Sequence, residues 1–150
     1  MSAKLPVSVL VVIHTAALEV LLLERAARPG FWQSVTGSLA RPDEPLAAAA
    51  AREVREETGF EPAAERLERW PLAYTFEIYP EWRARFVPGT VYNTEHVFSL
   101  EVPAPWAPVL APDEHRAWRW LDWREAAQCC FSWSNRDAIR LLGARANARR

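Results

Sequence analysis

The sequence predicts an α/β fold in which a mixed β-sheet packs between helices. Residues 7–13 and 20–23 are dense apolar runs with the length and β-branched content of buried strands. Residues 45–58 are rich in Ala, Leu, Glu and Arg, begin with proline and stop at Gly59, which is typical of a helix. Since the chain has 150 residues, 50% of them hydrophobic, we expect residues 1–150 to form a single domain.

The remaining elements follow from alternation, turn residues and helical periodicity. They are strands at residues 31–37, 69–79, 94–102 and 116–121 and a closing helix at residues 135–142. Residues 38–44 are expected to be a loop, and residues 103–112 contain too many prolines to be regular. The basic tail, residues 143–150, has no apolar face and is expected to fray.

The composition argues against several classes of protein. A formal net charge of -1 gives no basic excess for nucleic acid, and no apolar segment reaches the roughly 18 residues that span a bilayer. Residues 5–13 resemble a secretion signal, but His14 and Thr15 interrupt the apolar run. Cys129 and Cys130 are adjacent, which is a poor geometry for a disulfide or a zinc site. We therefore expect a cytoplasmic protein with reduced thiols and no obligatory protein partner.

The predicted helix carries a cluster of carboxylates on one face. At 3.6 residues per turn, Glu53, Glu56 and Glu57 fall within an arc of roughly a hundred degrees. Like charges so close destabilise a helix, and Arg52 supplies only one positive charge. One interpretation is a solvated face crossed by surface ion pairs. The other is a site for a hard divalent cation such as Mg²⁺, which binds carboxylates and phosphate oxygens and so favours hydrolysis at phosphorus.

The ordered context of this cluster favours the second interpretation. Asp43 and Glu44 stand at the helix start, where a cap and the helix dipole favour carboxylates. Residues 37–60, GSLARPDEPLAAAAAREVREETGF, closely resemble the signature box of the Nudix hydrolases, which cleave nucleoside-diphosphate-like linkages with magnesium or manganese. From Glu44 onward the match has no gaps.

The loop before that helix departs from the family pattern by one residue. Six residues lie between Gly37 and Glu44, where the family usually has five. Either Asp43 stands in for the first glutamate or the extra residue is absorbed at positions 41–42. We prefer the second alternative because Glu44 keeps its spacing to Arg52.

The Nudix resemblance implies an α/β/α sandwich and a role for each residue of the box. It implies that Glu53 and Glu57 bind Mg²⁺, for which Mn²⁺ can substitute, and that Glu56 binds it directly or through water. Arg52 is implied to orient a glutamate. The general base differs among family members, so its identity stays open.

Outside the box, three segments resemble the bacterial dihydroneopterin triphosphate diphosphatases of folate biosynthesis. They are FWQSVTGS at residues 31–38, VYNTEHVFSL at residues 91–100 and FSWSNRDAI at residues 131–139. This resemblance implies that Glu114 reaches the metal from a distant loop. It also implies a substrate pocket lined by Lys4, Arg25, Thr36, Phe76, Glu77, Ile78, Tyr79 and Ser132. Basic side chains can meet phosphate oxygens, and aromatic ones can cover a flat pterin ring.

Other interpretations of these residues remain open. Phe76 and Tyr79 could be core residues, Arg25 a surface charge and Ser132 a turn residue. The three histidines have no nucleophile partner in the sequence pattern, which argues against a serine or cysteine triad. Two rival functions are a broader Nudix pyrophosphatase for nucleoside triphosphates or dinucleoside polyphosphates, and a Nudix module that binds a nucleotide without cleaving it.

Overall fold

A mixed β-sheet forms the centre of the computed structural model, which describes residues 3–148 and places seven strands within them. The strands are β1 (Val7–Thr15), β2 (Glu19–Arg25), β3 (Trp32–Gln33), β4 (Val35–Ser38), β5 (Leu67–Glu77), β6 (Tyr92–Val102) and β7 (His115–Asp122). Their order is β3-β2-β1-β6-β5, with β4 also pairing with β1 and β7 with β2. Strands β1 and β6 are parallel and the other pairs are antiparallel, as expected for a mixed sheet.

Helices cover both faces of this sheet. They are α1 (Leu46–Thr58), α2 (Trp123–Cys129) and α3 (Trp133–Ala148). Strand β1 is buried on both faces, which explains its continuous apolar run. Its Val9, Val11 and Ile13 join a core with α1, whereas Leu10 and Val12 join a second core with α2 and α3. The predicted α/β/α sandwich is confirmed.

Helix α1 ends as the sequence predicts but begins differently. Gly59 adopts a left-handed conformation, with φ of 74°, and its N–H bonds to the carbonyl of Arg55. At the other end Pro45 occupies the N-cap position, and no side chain makes a capping hydrogen bond. The expected capping by Asp43 or Glu44 was therefore wrong, because Glu44 is engaged elsewhere, as shown below.

The C-terminal region is more helical than the sequence predicts. Helix α2 was not predicted; its N-cap is Asp122, whose side chain accepts from the N–H of Arg124. Helix α3 runs on to Ala148, so the expectation of a frayed tail was wrong for residues 143–148, and residues 149–150 lie outside the described part. The extension is explained by packing, since Gly143 lies directly against the Trp123 ring.

Two other segments refine the predicted elements. The single strand expected at residues 31–37 is divided at Ser34, whose backbone N–H bonds to the Asn135 side chain instead of to a strand. The loop after β5 contains a 3-10 helix, Pro80–Arg85, which brings Trp82 and Arg85 to the site described next.

Within residues 3–148, no helix is both long and apolar enough to cross a membrane. Cys129 and Cys130 are free thiols, as predicted.

Candidate active site

Arg52, in the middle of helix α1, joins that helix to the loop in front of it. Its Nε and Nη2 donate to the two carboxylate oxygens of Glu44, each at 3.0 Å, and Nη2 also donates to the Ser38 carbonyl at 3.1 Å. Its Nη1 donates to Glu53 Oε1 at 2.7 Å. The hydrogen bonds from Arg52 lower the pKa of Glu44, and the same pairing raises the pKa of Arg52. Arg52 is therefore a fixed positive charge in contact with both Glu44 and Glu53.

Glu44, and not Asp43, occupies the position that contacts Arg52. Glu44 is buried and also accepts from the N–H of Ala40 at 2.8 Å. Asp43 is exposed and pairs with Arg41 at 3.0 Å. The longer loop is accommodated in an exposed turn, closed by a hydrogen bond from the N–H of Glu44 to the carbonyl of Arg41.

Gly37 allows the sheet to approach the carboxylate of Glu53. A Cβ at position 37 would overlap the Glu53 carboxyl group. Glu53 is itself buried, and burial raises its pKa in spite of the nearby Arg52 charge. The glycine is thus explained by close packing of strand β4 against an acidic side chain.

Glu57, Glu114 and His115 form a group that could hold a metal ion. One potential ligand atom from each lies within 4.8 Å of the others. Glu57 is 1% exposed, and within residues 3–148 neither of its carboxylate oxygens has a hydrogen-bond partner. Burial first, and then the nearby Glu53 and Glu114, raise the pKa of Glu57 well above its usual value. A buried carboxylate without a partner is strongly unfavourable, so a cation is the chemical complement of this group.

Glu114 and His115 reach the group from the start of strand β7. The carbonyl of Glu114 accepts from the N–H of Ala26, at the end of β2, at 2.9 Å. Burial, and then the charge of Arg25, lower the pKa of His115 to about 4, so its imidazole is neutral at neutral pH. His115 Nε2 lies 3.0 Å from Gln33 Nε2, and His115 Nδ1 lies 3.8 Å from Glu57 Oε1. Gln33 donating to Nε2 leaves the proton on Nδ1, facing Glu57.

Glu56 is placed apart from the other predicted metal ligands. It is exposed and pairs with Arg52 at 3.3 Å. The carboxylate face of the helix is thereby divided, with Glu53 and Glu57 turned towards the sheet and Glu56 towards solvent.

A cavity of about 500 Å³ adjoins Glu53, Glu57 and Glu114, which together are called the carboxylate group below. It is lined by all eight residues that the sequence implies for substrate binding, which are Lys4, Arg25, Thr36, Phe76, Glu77, Ile78, Tyr79 and Ser132. Glu53, Glu114 and His115 also line it, so the acidic group and the pocket are continuous. The cavity has the size of a small-molecule site.

Positive charges and aromatic rings share the wall of this cavity. Lys4 and Arg25 lie near Arg85: partial burial, and then the charge of Arg85, lower the pKa values of both Lys4 and Arg25. The Arg25 guanidinium lies 4.8 Å from the centre of the Trp82 ring, which in turn packs 6.0 Å from Phe131.

Several lining residues were not identified from the sequence. Gln33, Trp82, Phe131 and Arg85 lack a local pattern that would distinguish them from ordinary strand or loop residues. The one available signal was Trp82 in a proline-flanked loop, where a large aromatic side chain has no strand or helix to pack in.

Comparison with known proteins places the chain in a family. Residues 4–142 match the family model described as NUDIX domain. The chain is 45% identical over 139 residues to the dihydroneopterin triphosphate diphosphatase of Escherichia coli K12, with 91% of each protein covered. It is 35% identical over 136 residues to the protein of the same name from Haemophilus influenzae, covering 89% of this chain and 84% of that one. The solved E. coli dihydroneopterin triphosphate pyrophosphohydrolase superposes with a TM-score of 0.86 at 42% identity, covering 94% of this chain and 97% of the other. The chain therefore belongs to the Nudix family.

Proposed function

We propose that the protein hydrolyses 7,8-dihydroneopterin 3'-triphosphate to the monophosphate and diphosphate, a step of folate biosynthesis, with Mg²⁺ as its cofactor and Mn²⁺ as a substitute. One observation carries this proposal. The same cavity has Glu53 and Glu114 at one side, next to the buried Glu57 whose oxygens have no partner within residues 3–148, and cations and aromatic rings along its wall. The two bacterial relatives are named for an activity on dihydroneopterin triphosphate, which is a phosphorylated pterin. We further propose that residues 1–150 act as one domain.

The donor set of the carboxylate group fits a hard divalent cation. Glu53, Glu57 and Glu114 offer oxygen ligands, which Mg²⁺ prefers, and the buried Glu57 oxygens lack other partners within residues 3–148. His115, with its proton on Nδ1, would orient Glu57 rather than bind the ion. Glu56 would contribute through water, since it is exposed. A divalent cation bound there would offset phosphate charge and lower the pKa of an attacking water.

The chain's own cations would bind and orient the triphosphate. Lys4, Arg25 and Arg85 repel one another, and phosphate oxygens relieve that repulsion. Water attacks phosphorus, the anhydride bond between the first and second phosphates breaks, and diphosphate leaves with the bridging oxygen. The guanidinium of Arg25 and the ammonium of Lys4 stabilise the negative charge on that leaving group.

Aromatic side chains would hold the ring of the substrate. Phe76, Tyr79 and Phe131 line the cavity, and Tyr79 packs 4.9 Å from Trp82 between ring centres. Flat apolar surfaces of this kind bind a planar heterocycle by stacking. Ser132 and Thr36 offer hydroxyl groups beside them.

The direct test supplies purified protein with Mg²⁺ and 7,8-dihydroneopterin 3'-triphosphate and measures diphosphate release. We expect kcat/KM to exceed that for ATP by at least about tenfold, and activity to vanish with a chelator. Faster cleavage of ATP would reject the substrate and favour a broader pyrophosphatase. Tight binding with no cleavage of either compound would indicate a non-catalytic module.

Metal binding is expected to stabilise the fold without any substrate. Because a cation relieves the charge repulsion at Glu53 and Glu57, saturating Mg²⁺ or Mn²⁺ should raise the melting temperature by about 5–10 °C at pH 8. Differential scanning fluorimetry measures this shift. The Glu57→Gln variant should lose most of it, whereas Glu61→Gln, an exposed change just beyond the helix, should keep it. An equal shift in both variants would contradict the ligand assignment.

A further inference from the structure

Strand β6 places a carboxyl group in the cavity that the reaction chemistry does not use. Glu95 lines the cavity and is 6% exposed. It pairs with Ser8 of β1 on one side and with Tyr74 of β5 on the other, so it lies in the middle of the sheet. A buried carboxyl group at that place requires an explanation, because apolar side chains fill most such positions.

The hydrogen bonds of Glu95 leave acceptor capacity on both of its oxygens, because each carboxylate oxygen can accept two hydrogen bonds. Ser134 donates to Oε1 at 3.0 Å. The hydroxyl of Thr36 lies 3.5 Å from Oε2 but only 3.0 Å from the carbonyl of Val9, and its single proton goes to the nearer acceptor. Within residues 3–148 no Lys, Arg or His forms an ion pair with Glu95, and burial raises the pKa of Glu95 to about 7.

A second acceptor without a partner lies beside Glu95. Asn93, two residues earlier on the same face of β6, also lines the cavity and is 5% exposed. Its Nδ2 donates to the hydroxyl of Ser8 at 2.8 Å, while its Oδ1 has no hydrogen-bond partner among residues 3–148. Two neighbouring buried acceptors therefore lack donors, and an apolar ligand would leave both unsatisfied.

The chemistry of these acceptors selects a ligand that presents N–H donors. Phosphate oxygens are acceptors and would be repelled. A 2-amino-4-oxo heterocycle, the ring of pterins and of guanine, carries an amino group next to a ring N–H, two parallel donors that match the oxygens of a carboxylate. Adenine carries its amino group next to a ring nitrogen that accepts, so one of its two positions would face a carboxylate oxygen.

We propose that Glu95, assisted by Asn93 Oδ1, binds the amino and ring N–H groups of a 2-amino-4-oxo heterocycle and so sets the preference for pterin and guanine over adenine. This inference deepens the proposed function and rests on it for the location of the substrate. It makes Glu95 a specificity residue outside the Nudix box.

A purely structural role for Glu95 makes different predictions. If Glu95 only fixed helix α3 through Ser134, its replacement would lower stability and reduce the turnover of all substrates alike. Gln keeps the size of the side chain and an oxygen for Ser134 to donate to, but removes the charge and one acceptor. Because a buried charge is removed, the melting temperature of Glu95→Gln at pH 8 is expected to be no lower than that of the wild type.

The test measures kcat/KM of Glu95→Gln for dihydroneopterin triphosphate, GTP and ATP, and the Kd for dihydroneopterin without phosphates by fluorescence titration. We expect kcat/KM for the first two to fall by about ten- to hundredfold, ATP cleavage to stay within about twofold, and the Kd to rise at least about tenfold. Ser134→Ala, which removes the contact to α3 but keeps the carboxylate, should leave the preference for GTP over ATP unchanged. Glu101→Gln is a matched control on the same strand, because Glu101 is exposed and outside the cavity.

The outcomes of this test separate the role of Glu95 from the proposed substrate. An equal fall for all three substrates, an unchanged Kd for the free pterin, or the same loss of preference in Ser134→Ala would overturn the role of Glu95. If the wild type fails to cleave dihydroneopterin triphosphate, while Glu95→Gln still loses its preference for GTP, the substrate proposal fails and the role of Glu95 stands.

Discussion

Replacing Glu57 with Gln is expected to reduce kcat on the order of a thousandfold, equivalent to about 4 kcal/mol of activation barrier, while leaving the fold intact. Glu57 is the most buried member of the carboxylate group, and Gln has nearly the same volume but cannot supply a charged ligand. The loss should therefore come from weakened cation binding and not from misfolding. Steady-state kinetics over a range of Mg²⁺ concentrations measures it, with Glu61→Gln as the control that keeps wild-type activity.

The stability of Glu57→Gln separates two explanations of its loss of activity, which are weakened cation binding and misfolding. Because burial raises the pKa of Glu57, the metal-free wild type loses stability as the pH rises above the usual glutamate pKa of about 4.3. Gln does not titrate, so the metal-free variant should be at least as stable as the wild type at pH 8. Unaltered activity, or a marked fall in the metal-free melting temperature, would contradict the assignment of Glu57 as a metal ligand.

Gly37→Ala is expected to abolish most of the activity because it displaces the carboxylate of Glu53. The new Cβ overlaps the Glu53 carboxyl group, which Arg52 holds on the other side, so the carboxylate must shift by an ångström or more. A displacement of that size in a catalytic group reduces turnover by about a hundredfold or more, and the overpacking lowers stability by about 1–3 kcal/mol. Kinetics and chemical denaturation measure the two effects.

A second glycine provides the control for that prediction. Gly143→Ala also introduces an overlap, against the Trp123 ring, but far along the chain from the carboxylate group and outside the residues that line the cavity. It should lower stability by a similar amount and leave kcat/KM within about twofold. Comparable activity losses in the two variants would show that general destabilisation, and not the position of Glu53, explains the effect.

The sequence was most informative where the structure is local. Helix α1 and its carboxylate face follow from a period of 3.6 residues and the Gly59 stop, and both can be read without tertiary information. Helix α2 was missed because its seven residues are too short for a clear periodicity. The extension of α3 was missed because it depends on long-range contacts, of Gly143 with Trp123 and of Arg145 with Glu68 and Trp70.

The cavity was harder to predict from the sequence, because it depends on the register in which the strands pair. Asn93 and Glu95 look like ordinary polar positions of an alternating strand, and only the pairing of β6 between β1 and β5 turns them into the cavity. Gln33 and His115 meet across 82 positions of sequence. The resemblance to a family supplied the pocket residues that no local pattern could.

The parallel pairing of β1 with β6 has a consequence for synthesis on the ribosome. Val7 of β1 pairs with Thr94 of β6, and β2 pairs with β7, so β1 and β2 emerge long before these two partners, although they also pair with each other. A nascent chain released before α3 has formed would expose these strands and would aggregate readily. Long-range pairings of this kind slow folding, so we expect the free chain to refold more slowly in vitro than a helical protein of the same length.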